Sequence, residues 1–150
     1  MENDAAAPQI GLTFDCADAR GQARFWAIAL GYVPAPPPEG WQTWEGFFGD
    51  HDVPPEERDD GAAICDPGAR RPTITFLRVP EPKRAKNRLH LDVKVSGGRH
   101  VDPEQRAQRM EGKVAELLAA GATVQVRDVL RGRLDHVVMQ DPEGNEFCVA

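Results

Sequence analysis

Apolar and polar residues alternate without a break between positions 88 and 95. The apolar positions are Leu89, Leu91, Val93 and Val95, and the polar positions between them are Arg88, His90, Asp92 and Lys94. Strict alternation predicts a β-strand with one buried face and one polar face. A polar face of this kind is either solvated, which is common in antiparallel sheets, or the wall of a binding site.

The first half of the chain contains a similar strand followed by a helix. Residues 10–16 alternate in the same way, Asp18 is a residue type that begins helices, and Gly31 suits the left-handed position that ends one. Phe25 and Trp26 belong to the apolar stripe of this helix. Further strands are predicted at 32–33, 41–48, 62–65 and 73–79, with a charged surface loop at 50–60.

The second half repeats this order. Asp102 followed by Pro103 is a strong helix start, and Gly121 ends this helix as Gly31 ends the first. The apolar residues with helical spacing are Met110, Val114, Leu117 and Leu118. Strands are predicted at 122–126, 137–139 and 145–149, with a turn at 141–144. The matching positions of the two glycines indicate a duplicated module of one strand, one helix and further strands.

The phase of the strands assigns a set of side chains to the face that points away from the helices. In the first half this set contains Gly11, Thr13, Asp15, Thr73, Thr75 and Leu77. In the second half it contains Arg88, His90, Asp92, Glu146 and Cys148. The set is small and chemically mixed, so it is more typical of a cavity lining than of a solvated face.

Composition argues against several classes of function. A chain of 150 residues has room for one well-buried domain. The net charge of −6 and the interspersed basic residues argue against nucleic-acid binding, which needs clustered Lys and Arg. No apolar stretch approaches the ~20 residues of a membrane span, and the acidic segment 1–4 differs from the basic start of a signal peptide. The three cysteines lack CxxC spacing, so we expect reduced thiols and a cytoplasmic location.

Several short segments together are specific for a family. They include Phe-Asp-Cys-Ala-Asp at 14–18, Phe-Trp at 25–26, Leu-Gly-Tyr at 30–32, Val-Pro-Glu-Pro-Lys at 79–83, Asn-Arg-Leu-His-Leu-Asp at 87–92, Gly-Ala at 121–122 and Asp-Pro-Glu-Gly-Asn-Glu-Phe-Cys at 141–148. In this order and spacing they resemble the glyoxalase-like branch of the vicinal oxygen chelate superfamily. The resemblance implies an α+β fold in which paired βαβββ modules form a cup-shaped mixed sheet with helices outside. It also implies a single glyoxalase-like domain over 1–150, with module one at about 8–80 and module two at about 87–150, that assembles as a homodimer.

The resemblance also bears on metal binding. Metal-dependent members place His, Glu or Gln ligands on the first and last strands of each module. The matching positions here are Gly11, His90 and Cys148, with Thr73 or Thr75 at the fourth strand. Only His90 is a standard ligand. A Cys148 thiolate would favour zinc over harder metals. Glu146 lies ~7 Å along the strand from Cys148, which is far for a residue that would replace it as a ligand. The sequence therefore leaves open whether a divalent metal cofactor is bound. His90 is the one assigned ligand, and the other matching positions do not carry standard ligands.

The resemblance implies a protein that binds a small organic molecule in the cup, with or without catalysis. If it is an enzyme, a lyase or isomerase acting on a carbonyl compound is expected, with His90 and Glu146 as the catalytic candidates. The ligand-binding candidates are Asp15, Thr75, Arg88, Asp92 and Cys148. The alternatives are a metal-free protein that sequesters a drug or metabolite, as bleomycin-resistance-like members do, and an interaction module without a ligand. Lactoylglutathione lyase activity is not expected, because the metal ligands it needs are lost at Gly11 and Cys148.

Other candidate residues have two explanations each. The aromatic residues that would form either a wall for a flat ligand or the core of a β-hairpin are Trp41, Trp44, Phe47 and Phe48. His51 and His136 are predicted to lie in or near loops, although Asp135 and His136 together would reach the mouth of the cup. Cys148 is more often a small buried side chain than a nucleophile. The turn at 141–144 is explained by backbone geometry and is given no catalytic role.

Overall fold

The computed structural model describes residues 9–150, so the acidic segment 1–4 and the predicted start of module one at residue 8 lie outside the described residues. The first module consists of β1 (Leu12–Cys16), α1 (Ala19–Leu30), β2 (Val33–Pro34), α2 (Trp44–Asp50), β3 (Gly61–Cys65) and β4 (Ile74–Arg78), with a 3₁₀ turn at Pro55–Glu57. The second consists of β5 (Asp92–Val93), α3 (Pro103–Ala119), β6 (Thr123–Leu130), β7 (Arg133–Gln140) and β8 (Glu146–Val149). Apart from α2, both modules have the order βαβββ.

Each module forms its own four-stranded mixed sheet. The strand orders are β1-β4-β3-β2 and β5-β8-β7-β6. β1 is parallel to β4 and β5 is parallel to β8, while the other pairs are antiparallel. The predicted α+β class with paired βαβββ modules is confirmed, and the mixed sheet consists of two four-stranded sheets that do not close.

Helix α1 begins and ends as the sequence predicts. The Asp18 side chain accepts a hydrogen bond from a backbone N–H of the first turn, and Gly31 follows the helix with a φ of 68°, which costs glycine little. Phe25 and Trp26 are only 2% and 1% exposed. Their rings contact Phe147 of β8 at centroid distances of 5.9 and 5.1 Å, so the aromatic core joins the two modules.

The turn between β7 and β8 connects the second module to α1. Asp141 is 3% exposed and accepts hydrogen bonds from Trp26 Nε1 at 3.1 Å and from two backbone N–H groups of the turn at 2.9 and 3.0 Å. The Glu143 carboxylate accepts from the N–H groups of Ala17 at 2.6 Å and Asp18 at 3.0 Å, just before α1. These turn residues therefore hold the modules together, in addition to having the backbone geometry expected of a turn.

The strand predicted at 41–48 is wrong, because most of this segment belongs to α2. The Thr43 side chain begins the helix by accepting a hydrogen bond from the Gly46 N–H at 3.1 Å. Spacings of three and four residues, which are typical of a helix, separate the aromatic side chains Trp44, Phe47, Phe48 and His51. The predicted hairpin core is replaced by a short helix whose aromatic side chains contact one another.

Only part of the strand predicted at 88–95 is regular. β5 contains two residues, and the Leu91 carbonyl accepts a hydrogen bond from the Cys148 N–H at 3.0 Å, so pairing with β8 begins at residue 91. From this point the predicted alternation holds, since Val93 is 5% exposed while its neighbours on both sides are exposed.

The residues before position 91 leave the sheet, although they were predicted to belong to the strand. The Asn87 N–H donates to the Glu146 carboxylate at 3.0 Å rather than to the backbone of a neighbouring strand. Because a side chain takes the place of a strand partner here, the regular alternation of faces is lost. Leu89, predicted to face the core, is 70% exposed.

Three smaller features also differ from expectation. β6 and β7 are longer than predicted and form a hairpin through Arg131 and Gly132, with φ values of 52° and 75°. His136 therefore lies within β7 and not in a loop. Leu118, predicted for the apolar stripe of α3, is 45% exposed.

Among residues 9–150, no helix combines the length and the apolar character needed to cross a membrane.

Candidate functional site

Three potential ligand atoms come together where β5 meets β8. His90 lies two residues before Asp92, and its Nε2 is 3.3 Å from Asp92 Oδ1. Asp92 is the register partner of Cys148 in the parallel pair β5 and β8. One imidazole nitrogen, one carboxylate oxygen and the thiol sulfur all lie within 4.8 Å of one another. His90, Asp92 and Cys148 are named the triad below.

The triad is open to solvent on one side and partly buried on the other. The side chains of His90 and Asp92 are each 48% exposed. Burial of Cys148 and the negative charge of Asp92 raise the pKa of the thiol, while the positive charge of Lys86 lowers it. Because the net pKa shift is upward, the thiol is protonated at neutral pH and Cys148 is not an activated nucleophile.

A small, open cleft with a cavity volume of about 40 Å³ lies beside the triad, between β1 and the segment 87–91. Its polar lining comes from Thr13, Asn87, His90 and Glu146. Leu12, Phe14 and Leu89 contribute to its apolar lining. A few polar groups set in an apolar wall are typical of small-molecule sites.

Glu146, predicted as a catalytic residue, has its carboxylate already engaged. It accepts the Asn87 N–H at 3.0 Å and lies 3.2 Å from Lys83 Nζ, and its side chain is 12% exposed. The Asn87 N–H and the Lys83 ammonium hold the pKa of the Glu146 carboxyl below its usual range. A carboxylate that is stabilised in this way is a weak proton acceptor, so the geometry favours a positioning role for Glu146 on the cleft wall.

The lowered pKa of Glu146 predicts a pH-dependent contribution to stability. A carboxyl group whose pKa is lower in the folded state stabilises the fold fully above its unfolded pKa of ~4.3, and the contribution is lost as pH falls through the folded value. Glu146→Gln should therefore lower the free energy of unfolding by about 1 kcal/mol at neutral pH. Urea unfolding of both proteins at pH 7 and in acid below the unfolded pKa should show this difference becoming smaller as the pH falls. A difference of the same size at both pH values would contradict the prediction.

The remaining predicted ligand-binding residues are spread over a wider surface. Thr75 of β4 is the register partner of Thr13 of β1 and is half-buried, so it lies one strand away from the cleft. Asp15 and Arg88 are exposed. Within the described part of the chain, none of Asp15, Thr75 and Arg88 lines the cleft.

Of the polar lining residues, Thr13 was predicted to face the cavity without being assigned a role, and Asn87 was not predicted. Thr13 had a usable signal, because the alternation of the first strand places it on the polar face. Asn87 stands immediately before the alternating run, and its position depends on the contact with Glu146 from a distant part of the chain. Sequence periodicity carries no information on that contact.

A second histidine lies on the same face of the second sheet. Val138 is the register partner of Cys148, and His136, two residues earlier, therefore points to the same side. His136 Nε2 is 3.5 Å from Asp128, and its Nδ1 is 3.1 Å from Asp135. Two arginines also contact Asp135, with Arg99 donating two hydrogen bonds at 3.1 Å and Arg106 lying 3.9 Å away. His136 is thus held in a charge network rather than in a loop.

The aromatic residues around α2 form a cluster of their own. Trp41 and Phe47 meet at a centroid distance of 5.2 Å, and the His51 ring lies 4.2 Å from Phe47. Trp41 Nε1 donates to Asp50 and Trp44 Nε1 donates to a backbone carbonyl, so both indole donors are satisfied. Within residues 9–150, the cleft beside the triad receives no side chain from this cluster.

Comparison with known proteins gives a consistent assignment. Residues 11–150 match a family model described as "Glyoxalase-like domain". Similar solved structures include a glyoxalase/bleomycin resistance protein/dioxygenase family enzyme from Burkholderia phytofirmans PsJN, with 17% identity, coverage of 92% of this chain and 93% of that chain, and a TM-score of 0.56. A possible glyoxalase from Bacillus cereus has 14% identity, covers 96% and 98%, and has a TM-score of 0.57. A fosfomycin resistance protein from Mesorhizobium loti has 10% identity, covers 96% and 90%, and has a TM-score of 0.59.

At these identities the structural likeness concerns the fold alone. No curated protein matches this chain at a significant level.

Proposed function

This chain belongs to the glyoxalase-like domain family, and from that premise we propose that it binds a small organic molecule in the cleft between β1 and the segment 87–91. The observation that carries the proposal is the convergence of polar and apolar groups at one place. Thr13, Asn87 and His90 provide hydrogen-bonding groups, and Leu12, Phe14 and Leu89 provide apolar contact area. A ligand that fits has a compact polar end and an apolar body.

The arrangement around His90 supports proton transfer as the chemistry. Imidazole exchanges protons near neutral pH, and Asp92 at 3.3 Å is placed to orient the ring. Removing a proton next to a carbonyl and returning it elsewhere is the reaction of an isomerase, and loss of a leaving group instead makes it a lyase. We therefore propose a lyase or isomerase acting on a carbonyl compound, with His90 as the proton carrier.

The metal centre that the resemblance implies does not fit the residues present. Hard divalent metals such as magnesium take several oxygen ligands. Gly11 has no ligating side chain, and Glu146 is already bound to Asn87 and Lys83. No step is therefore derived through a hard metal, and lactoylglutathione lyase activity is not proposed.

The same observation favours a second candidate function, a protein that sequesters a drug or metabolite without a metal. A cleft that keeps its binding groups but lacks a hard-metal ligand set is sufficient for binding. Turnover distinguishes the two functions, because an enzyme changes the bound compound and a sequestering protein releases it intact.

The test is a screen by protein-observed NMR with small hydroxy-carbonyl compounds and planar aromatic compounds. Bound compounds should shift the resonances of Thr13, Asn87 and residues 89–91. His90→Ala should weaken binding about tenfold, because it removes one hydrogen bond between the imidazole and the ligand. New ligand signals that appear with time would identify an enzyme. The matched control is His51→Ala, which removes an exposed histidine of the α2 cluster.

The proposal fails if no compound shifts the cleft resonances. It fails equally if the shifts map to the α2 cluster and disappear in the His51 variant.

We further propose that the protein is a cytoplasmic homodimer without nucleic-acid partners. The free cysteines Cys16, Cys65 and Cys148 suit a reducing compartment. β6 ends the second sheet and exposes Val126, Val129 and Leu130 at 52%, 57% and 52%. An exposed apolar edge strand suits pairing with a second copy, and light scattering should give the mass of two chains.

A further inference from the structure

We propose that a groove where α1, the end of α3 and the β7–β8 turn meet binds an uncharged ring compound with an amide edge, that is, an N–H donor next to a C=O acceptor in the same ring. Lactams, cyclic imides and nucleobases have such an edge. The groove is open and has a cavity volume of about 570 Å³. Within residues 9–150 it shares no lining residue with the cleft beside the triad, so the proposal does not rest on the proposed function.

The observation that carries the proposal is the side chain of Gln22. This residue of α1 lines the groove and is only 1% exposed. Among the described residues, neither its amide oxygen nor its amide nitrogen has a hydrogen-bond partner. Buried polar groups are nearly always paired, because a buried donor or acceptor without a partner costs free energy. Rotation about the last side-chain torsion of glutamine, which has a broad profile, turns this amide toward a partner in the groove.

The chemistry of the amide selects the kind of partner. The Gln22 side chain offers N–H donors and a carbonyl acceptor side by side. Its complement presents one acceptor and one donor in the same plane and on the same side. A ring holds the C=O and N–H of an amide in this arrangement, whereas an open-chain secondary amide is trans and points them in opposite directions. The site therefore favours a cyclic amide over a peptide.

The walls of the groove favour a ligand without a charge. Ile28, which is 44% exposed, and Pro142 provide apolar contact area for a ring. The two carboxylates of the lining already have partners, since Asp18 accepts a backbone N–H of α1 at 2.9 Å and Glu143 accepts two backbone N–H groups before α1. These carboxylates repel an anion, and Arg24 on the same wall repels a cation. An uncharged ring avoids both costs.

The test uses matched pairs of ring compounds and protein-observed NMR. δ-Valerolactam, succinimide and uracil carry the amide edge, whereas their fully N-methylated derivatives keep the ring and have no N–H donor. We expect the unmethylated compounds to shift the side-chain NH₂ resonances of Gln22 and the backbone resonances of Phe25 and Glu143. The methylated compounds should bind about tenfold more weakly, because they lose one hydrogen bond.

Gln22→Met replaces the amide by an apolar group of similar length. Followed at Phe25 and Glu143, this variant should lose the response to all three compounds. Its urea midpoint should not fall, because the substitution removes two unpaired polar atoms. The matched control is Gln108→Met, which changes an exposed glutamine of α3 that does not line the groove and should bind like the wild-type protein. Circular dichroism verifies that each variant is folded.

The proposal is overturned if no compound shifts the groove resonances, if methylated and unmethylated compounds bind equally, or if Gln22→Met retains binding. A water signal at the Gln22 amide that persists at saturating compound would also overturn it, because a buried water would then be the missing partner. The methylated pairs need no variant, so they decide the question even if Gln22→Met does not fold. Shifts confined to Thr13 and Asn87 would contradict the groove site and support the cleft, whereas shifts confined to the groove would do the reverse.

Discussion

Replacement of Asp141 by alanine should lower the free energy of unfolding by about 3 kcal/mol, because it removes the acceptor of a buried indole N–H and of backbone N–H groups in the β7–β8 turn. Asp141 is 3% exposed and accepts the Trp26 indole N–H together with two backbone N–H groups of the β7–β8 turn. In the variant the Trp26 indole N–H would be buried without a partner, and the part-buried turn N–H groups and the Asn145 side-chain amide would lose their acceptor. Each unsatisfied donor costs about 1–3 kcal/mol, so the loss exceeds that of an ordinary surface substitution.

Urea unfolding followed by tryptophan fluorescence measures this effect. Trp26→Phe is the partner variant, since it removes one donor and leaves the Asp141 carboxylate with its backbone partners. The double variant should lose less than the sum of the single losses, because both substitutions remove the same hydrogen bond. Additive losses would show that Asp141 and Trp26 contribute independently, contrary to the contact across the modules.

The second large effect concerns two neighbours on β8 that point to opposite faces. Phe147 is fully buried against Phe25 and Trp26, so Phe147→Ala should lower the free energy of unfolding by about 3–5 kcal/mol through loss of apolar contacts and formation of a cavity. Cys148 is half-buried on the face of the triad, and Cys148→Ala should cost about 1 kcal/mol or less.

Urea denaturation of both variants separates these two roles. Equal destabilisation by the two substitutions would mean that Cys148 belongs to the core rather than to the site.

Local signals account for the parts of the fold that could be predicted from the sequence. Asp18 and Gly31 define α1 because a capping side chain and a left-handed glycine act within one turn. Alternation places His90, Asp92 and Cys148 on a common face, although it does not reveal the register that makes Asp92 and Cys148 neighbours. Register depends on pairing between strands far apart in the chain.

The two wrong strand assignments have different causes. Around Trp44 and Phe47 the high β-propensity of aromatic residues outweighed a helical spacing that was present in the sequence. Near Leu89 the sequence does alternate, but the Asn87 N–H bonds the Glu146 side chain instead of the backbone of a neighbouring strand. The helical spacing around Trp44 is present in the sequence itself, whereas the departure of Leu89 from the sheet depends on a tertiary contact.

The carboxylate of Glu143 makes the start of α1 dependent on the second module. The amide protons of Ala17 and Asp18 are bonded to that carboxylate and not to their own module. Their exchange with deuterated solvent should therefore follow opening of the β7–β8 turn rather than fraying of the helix. The exchange rates of these two amides would therefore report how often the two modules separate while each sheet stays intact.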